Sequence, residues 1–305
     1  VPIGSSLRQL AYAYGLGDWQ LMLSNSLNSN SRIHYHRLIQ DRIRQLAPFL
    51  ALDSDPYLAI IDGRLQWIVD AYTLSNRYPY SEPLWRSEDI QAVLQGQAMQ
   101  RIVRAGTNYI RNPVKAVVDA YDGSLHLYVV DPSDPILASF QQSFPTLFET
   151  MDNAPPDLQA HFRYPQMLFK IQTQIYRAYH MDRPDVFYNQ EDLWDFPTQI
   201  AREESSETLE PYYVIMKLPK AEAEEFMLIV PFTPVSKNNM VAWMSVLCDG
   251  DNYGKLLVYE FSRQALLYGP RQIDSRIDQD TEISQQLTLW NQEGSEVFRG
   301  DLLVV

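Results

Sequence analysis

The sequence predicts an α+β fold, an antiparallel sheet built from local hairpins with helices packed against it. Three observations predict it. Residues 115–121 and 124–131 are two Val/Tyr/Leu-rich runs that turn at Asp122-Gly123, a dipeptide suited to the positive φ angles of a tight hairpin. A shorter unit of the same kind, 57–61 and 64–72, turns at Asp62-Gly63, and both units carry Val-Asp-Ala-Tyr, at 69–72 and 118–121. Elsewhere apolar residues recur at three and four, the helical period.

Taken in order, residues 5–27 read as helical, with Leu7, Leu10, Ala11 and Tyr14 on one apolar face. Residues 33–50 read as an amphipathic helix lined by Ile39, Ile43, Leu46 and Leu50. After the first hairpin, 72–83 is a polar, aromatic loop, and 87–104 reads as helix. Pro135 suits the first turn of a helix over 136–142, because its missing N–H costs nothing there. The longest helical pattern, 155–181, steps through Leu168, Ile171, Ile175 and Ala178, with Pro165 beginning its main helix; 182–197 is a second aromatic–acidic loop. Residues 203–210 (EESSETLE) make an acidic linker, so the chain divides into a lobe over 1–199 and a C-terminal α+β lobe over 211–305, or runs as one domain. In the second lobe 212–218, 226–232, 256–261 and 265–268 read as strands, and 240–247 fits either period. Residues 277–291 read as a helix with Ile283, Leu287 and Trp290 inward, and 297–305 returns as a strand.

Composition narrows the function classes. A chain of 305 residues with 46% hydrophobic residues buries a large core. Its net charge is −13, and residues 200–305 carry 17 acidic and 9 basic side chains. That balance disfavours nucleic acid and direct binding to anionic lipid, whose phosphates it repels. Cys248 is the single cysteine, which excludes an intrachain disulfide and a multi-cysteine metal knuckle. No signal peptide or bilayer-length apolar run is present, and both ends, Val-Pro-Ile and Leu302-Leu303-Val304-Val305, read as cuts within a longer chain.

Long strings carry a resemblance: IDGRLQWIVDAYTLSNRYPYS (61–81), NYIRNPVKAVVDAYDGSLHLYVVDPSDPI (108–136), HFRYPQMLFKIQ (161–172), VFYNQEDLWDFP (186–197), PYYVIMKLP (211–219) and the ending from 276 to 305. Together they resemble an uncharacterised bacterial protein family, UPF-0182. The resemblance implies several N-terminal membrane-spanning helices followed by a large soluble region, of which this chain is a part. It implies cell-membrane anchoring, with this region extracytoplasmic, and no catalytic residues.

No stretch spells out a reaction: nucleophile elbow, Walker loop and dinucleotide fingerprint are all missing. Asp249, Asp251 and Glu260 fall at positions one, three and twelve of a calcium-loop pattern with Gly254 at six. Tyr253 breaks position five, and the exit LLVYEF reads as strand where a calcium hand needs helix. No metal and no cofactor is expected. His34 and His36 lack a third ligand nearby, and Arg299-Gly300-Asp301 is an accidental adhesion tripeptide. The aromatic–polar loops are the stronger signal. Asp70, Tyr72, Arg77 and Tyr78 crowd one segment, and Tyr188, Asp192, Trp194 and Asp195 another. Such rings with polar tips suit a protein or glycan ligand; the alternative is that they plug seams between sheet and helices. The function expected is a ligand- or protein-binding module. The competing reading is a carboxylate-dependent hydrolase of envelope polysaccharide, using 186–197 with Trp194 exposed in a cleft.

Overall fold

A computed structural model describes residues 1–33, 36–84, 106–200, 206–219, 221–235, 237–262, 264, 266–292, 295, 297 and 302. The predicted helix over 87–104, His34, most of the strand over 297–305 and the 299–301 tripeptide lie outside the described residues. The fold is α+β with mostly antiparallel sheets. The chain opens with α1 (Ser6–Leu16), capped by the Ser5 side chain and ended by Gly17 at φ +68°, then α2 (Gln20–Leu23) and α3 (Ile39–Leu46). The first sheet comprises β1 (Ala51–Leu52), β2 (Tyr57–Ile61), β3 (Arg64–Ser75), β4 (Tyr109–Asp119), β5 (Leu125–Val129) and β6 (Glu149–Thr150). Its order is β1-β3-β4-β5-β6, with β2 also on β3, and only β5 and β6 run parallel.

The two Asp-Gly turns differ. Asp62 and Gly63 take φ +48° and +75°, a two-residue turn that pairs Ile61 with Arg64. At the second bend only Gly123 is left-handed, at φ +72°, and β4 ends at Asp119 rather than 121. The cause is Asp119, whose Oδ1 accepts from the N–H groups of Tyr121 (2.8 Å) and Asp122 (3.0 Å) and turns the chain early. Its Oδ2 takes Arg64 Nε at 2.9 Å. Burial raises this carboxyl, and the two N–H groups with Arg64 more than reverse that, so its pKa falls below the ordinary range. A lowered folded pKa gives stability that is complete above the unfolded value of about 3.9 and lost as pH falls through the folded one. Asp119→Asn should therefore flatten the acid limb of stability, followed by urea unfolding at several pH values between about 2 and 5. An unchanged slope would mean the carboxylate contributes nothing to the turn.

A bulge bends β4 where Ala71 pairs with Val114 but Thr73 with Arg111. Pro113 has no N–H to give the ladder, and Asn112 Nδ2 donates to Ala71 O (3.0 Å) in its stead. Beyond β5, Asp134 starts α4 (Pro135–Ser143), its Oδ1 accepting from Leu137 N (2.6 Å) while Oδ2 takes Thr73 Oγ1 (3.0 Å) and Tyr109 OH (2.7 Å). The 155–181 pattern splits into α5 (Pro156–Ala160) and α6 (Gln166–Tyr179), with Pro165 at the break. The 182–197 loop contains α7 (Pro184–Asn189) and β7 (Trp194–Asp195). Next come β8 (Thr198–Ile200) and β9 (Ser206–Thr208), so the described part of the acidic 203–210 stretch is a strand followed by buried Leu209.

The second sheet is β10 (Tyr212–Met216), β11 (Glu225–Pro234), β13 (Ala242–Leu247) and β14 (Leu256–Glu260), with β7 added at the far end of β11. The ambiguous 240–247 run becomes β13, buried at every position, preceded by β12 (Asn239–Met240), which pairs with β15 (Leu267–Tyr268). The 277–291 helix is two: α8 (Pro270–Gln279), then α9 (Thr281–Trp290), which restarts because Asp280 caps Glu282 N and Ile283 N. Ile283 and Trp290 face solvent, not the core.

Strand alternation sorts the core. Val69, Ala71, Val114, Ala116 and Val118 face Ile43 of α3 and Leu137 of α4. Their neighbours face the other way: Ile68 and Val117 meet Leu158 and Phe162. Tyr72 joins Phe169 of α6 and Leu228, Val230, Phe232 and Met244 of the second sheet in one cluster. The two sheets thus share a buried layer.

Candidate functional site

Within that layer lies the most unusual group of side chains. Asp70 and Lys115 are directly opposed on β3 and β4 and point toward the second sheet. Lys115 is wholly buried, and its ammonium donates to the Asp70 carboxylate and to the Arg163 carbonyl, 5.5 Å from the Tyr253 ring centre. Two residues along β3, the buried Tyr72 hydroxyl donates to the carboxylate of Asp53. Tyr253 OH also donates to the Arg163 carbonyl, at 3.3 Å. Cys248 Sγ accepts from Tyr164 N at 3.4 Å.

The network runs outward through one residue. The Arg163 guanidinium lies 4.1 Å from the Tyr57 ring centre and 5.2 Å from that of Tyr213, and ion-pairs with exposed Asp55 at 2.8 Å. Tyr213 OH donates to Tyr164 O at 2.6 Å. Loss of water dominates the acid–base character here. Burial pushes the Asp70 carboxyl up and the Lys115 ammonium down, each opposed by the attraction of the other. It drives the phenols of Tyr72 and Tyr253 far above their ordinary range, Tyr164 to about 12 and the Cys248 thiol to about 11.

This arrangement joins surfaces rather than receiving a substrate. A lysine nucleophile needs a free, reachable amine, whereas Lys115 is enclosed and engaged by a carboxylate, a carbonyl and a ring face. Cys248, with its raised pKa and burial, is not thiolate chemistry in waiting.

The residues singled out from the sequence divide between interior and surface. Asp70, Tyr72 and Trp194 lie inside, and Tyr72 and Trp194 belong to one core cluster. Trp194, expected in an open cleft, is 5% exposed: it stacks on His180 at 3.7 Å and meets Phe232 at 5.3 Å. Asp195 pairs with Arg177 at 3.0 Å, and Asp192 is half-buried in the turn after α7. Sugar cleavage needs two carboxyls facing one accessible space, and the buried ring and the engaged Asp195 do not frame one. Arg77, Tyr78 and Tyr188 are exposed. Tyr78 stacks on Tyr109 at 5.6 Å, its loop pinned by Asn108, which takes Tyr78 N and donates to Tyr78 O and Ser81 O.

The calcium-like residues are spent on structure. Asp249 Oδ2 accepts from Phe226 N at 2.6 Å, Asp251 sits in a single 3₁₀ turn, and Glu260 ends β14, so the exit is strand. Among the described residues no group of three or more His, Cys, Asp or Glu could hold a metal ion. Lys115 and Arg163 are the residues that sequence reasoning passed over. The available signal was a lysine inside an otherwise apolar β-run, NPVKAVV, which has to find a buried partner.

An antiparallel α+β protein whose charged interior locks two sheets together is the class this geometry defines. The chain belongs to UPF0182, an uncharacterised protein family, whose family model matches residues 1–290. It is 56% identical over 305 residues to a UPF0182 protein of Trichodesmium erythraeum and 51% identical over 301 residues to one of Methanospirillum hungatei. A third, of Pelotomaculum thermopropionicum, is 47% identical over 305 residues. These matches cover 100%, 99% and 100% of this chain and 33%, 32% and 31% of those proteins. The chain therefore spans about a third of the length of the curated relatives it matches. No solved structure matches it.

Proposed function

We propose that this chain is an interaction module of a longer, membrane-anchored polypeptide, docking through α1 and α2 onto another part of that polypeptide. One observation carries the reading. The apolar stripe predicted on the first helix faces outward: Leu7 is 78% exposed and Tyr14 79%, continued by Trp19 and Leu23 of the next turns. Only Ala13 of α1 is buried. Each large apolar side chain left in water forgoes about 1.5–3 kcal/mol of burial, and a run of them marks a surface meant to be covered. The relatives carry roughly twice as much chain again outside the matched region, which supplies the covering segment.

Hydrogen exchange tests this. The amides of residues 6–23 should be at least about tenfold better protected in the full-length protein than in residues 1–305 alone. Leu7→Asp with Tyr14→Asp should abolish that difference while leaving the stability of 1–305 within about 0.5 kcal/mol. Equal protection in both forms defeats the proposal.

The membrane part of the reading is supported by the resemblance in the strings quoted above and by the net charge of −13, which keeps the surface off anionic headgroups. No described helix is long and apolar enough to cross a membrane, so the anchor is assigned to segments outside this chain. An extracytoplasmic region is cut by a membrane-impermeant protease added to intact cells; survival until lysis would place it inside.

A further inference from the structure

A second surface feature lies on the face of the second sheet turned away from the first. There Trp243 and Tyr259 stack at 4.3 Å, and Met227, Ile229 and Leu247 continue an apolar layer. At one end this layer opens into a groove of about 400 Å³, walled by Leu218, Ala221, Leu247, Leu257 and Tyr259, with Glu225 at its base. The volume falls in the range of small-molecule sites, and the walls are of the apolar kind such sites use. Glu225 is the unexplained member. Its Oε1 accepts from Asn252 Nδ2 at 2.6 Å, whereas Oε2 is buried and meets no hydrogen-bond donor. A buried acceptor of this kind calls for a donor from elsewhere. Glu222 adds a second negative charge to the rim, against Lys255.

We propose that this groove binds a small aliphatic amine, its ammonium donating to Glu225 and its carbon chain lying along Leu257 and Tyr259. A cation satisfies the orphaned carboxylate oxygen with a charge-assisted hydrogen bond. An uncharged alkyl chain fills the walls and leaves that oxygen as it is, and an alkyl carboxylate meets like charge. The site is separate from the α1–α2 surface and does not depend on it.

Calorimetric titration of the chain with hexylamine, hexanol and hexanoate tests the assignment. Hexylamine should saturate one site at least tenfold more tightly than hexanol, and hexanoate should not bind. Glu225→Gln keeps the shape and the acceptor for Asn252, and should weaken hexylamine at least tenfold while leaving hexanol unchanged. Leu257→Trp, which fills the groove, should remove both. The proposal falls if hexylamine does not saturate at millimolar concentration, if hexanol binds equally well, or if Glu225→Gln binds hexylamine like the parent. A short lysine-containing peptide that binds tighter than hexylamine would reassign the groove to a protein partner and overturn the small-molecule reading.

Discussion

Lys115→Met should destabilise the protein by about 3–5 kcal/mol, because it leaves the Asp70 carboxylate buried and unpaired. Replacing both partners tests whether the charge or the space matters. In Lys115→Met/Asp70→Leu no charge remains to be compensated, and such apolar replacements of buried pairs are commonly neutral or stabilising. The double variant should therefore recover most of the loss. The Arg163 carbonyl keeps the Tyr253 hydroxyl as a donor in both variants. Urea unfolding followed by circular dichroism gives the three values. A single-variant loss below about 1 kcal/mol would show that the pair does not hold the sheets together.

Trp194→Ala should cost about 3–5 kcal/mol, the range for removing a large buried ring. The indole fills the space between His180, at the end of α6, and Phe232 of β11, while its carbonyl accepts from Arg177 Nε at 3.0 Å. Trp194→Phe keeps an aromatic face for His180 and should lose clearly less. Were Trp194 instead a platform for a glycan, the alanine variant would melt like the parent and lose only binding. Thermal unfolding separates the two.

Much of the fold was legible because local chemistry wrote it. Asp62-Gly63 makes a hairpin wherever two positive φ angles are wanted, and Pro165 and Asp280 announce helix starts by what their own atoms can and cannot bond. Legibility failed where the answer lay in another part of the chain. The stripe Leu7, Leu10 and Tyr14 is real, but its period is the same whether it faces the core or solvent. Asp122-Gly123 looked like Asp62-Gly63 until the Asp119 carboxylate claimed the two N–H groups before it. The two Val-Asp-Ala-Tyr copies show the same limit. Asp70 meets a buried lysine and Asp119 a surface arginine, and only strand register decides which. Of the candidate site, the aromatic loops were found from composition. Their rings went both to the seam (Tyr72, Trp194) and to the surface (Tyr78, Tyr188), which composition does not distinguish.

The position of Asp70 and Lys115 also bears on the chain as the ribosome makes it. All six strands of the first sheet lie before residue 151, whereas Tyr253 and β11 emerge later. At ordinary synthesis rates the stretch from Arg163 to Tyr253 takes roughly 5–20 s to appear. During that interval the sheet face that will be covered is bare. Two opposite charges at its centre keep water on it and break what would otherwise be an unbroken apolar surface inviting other nascent chains. The pair that is enclosed in the finished molecule thus serves, before completion, as a guard against premature association.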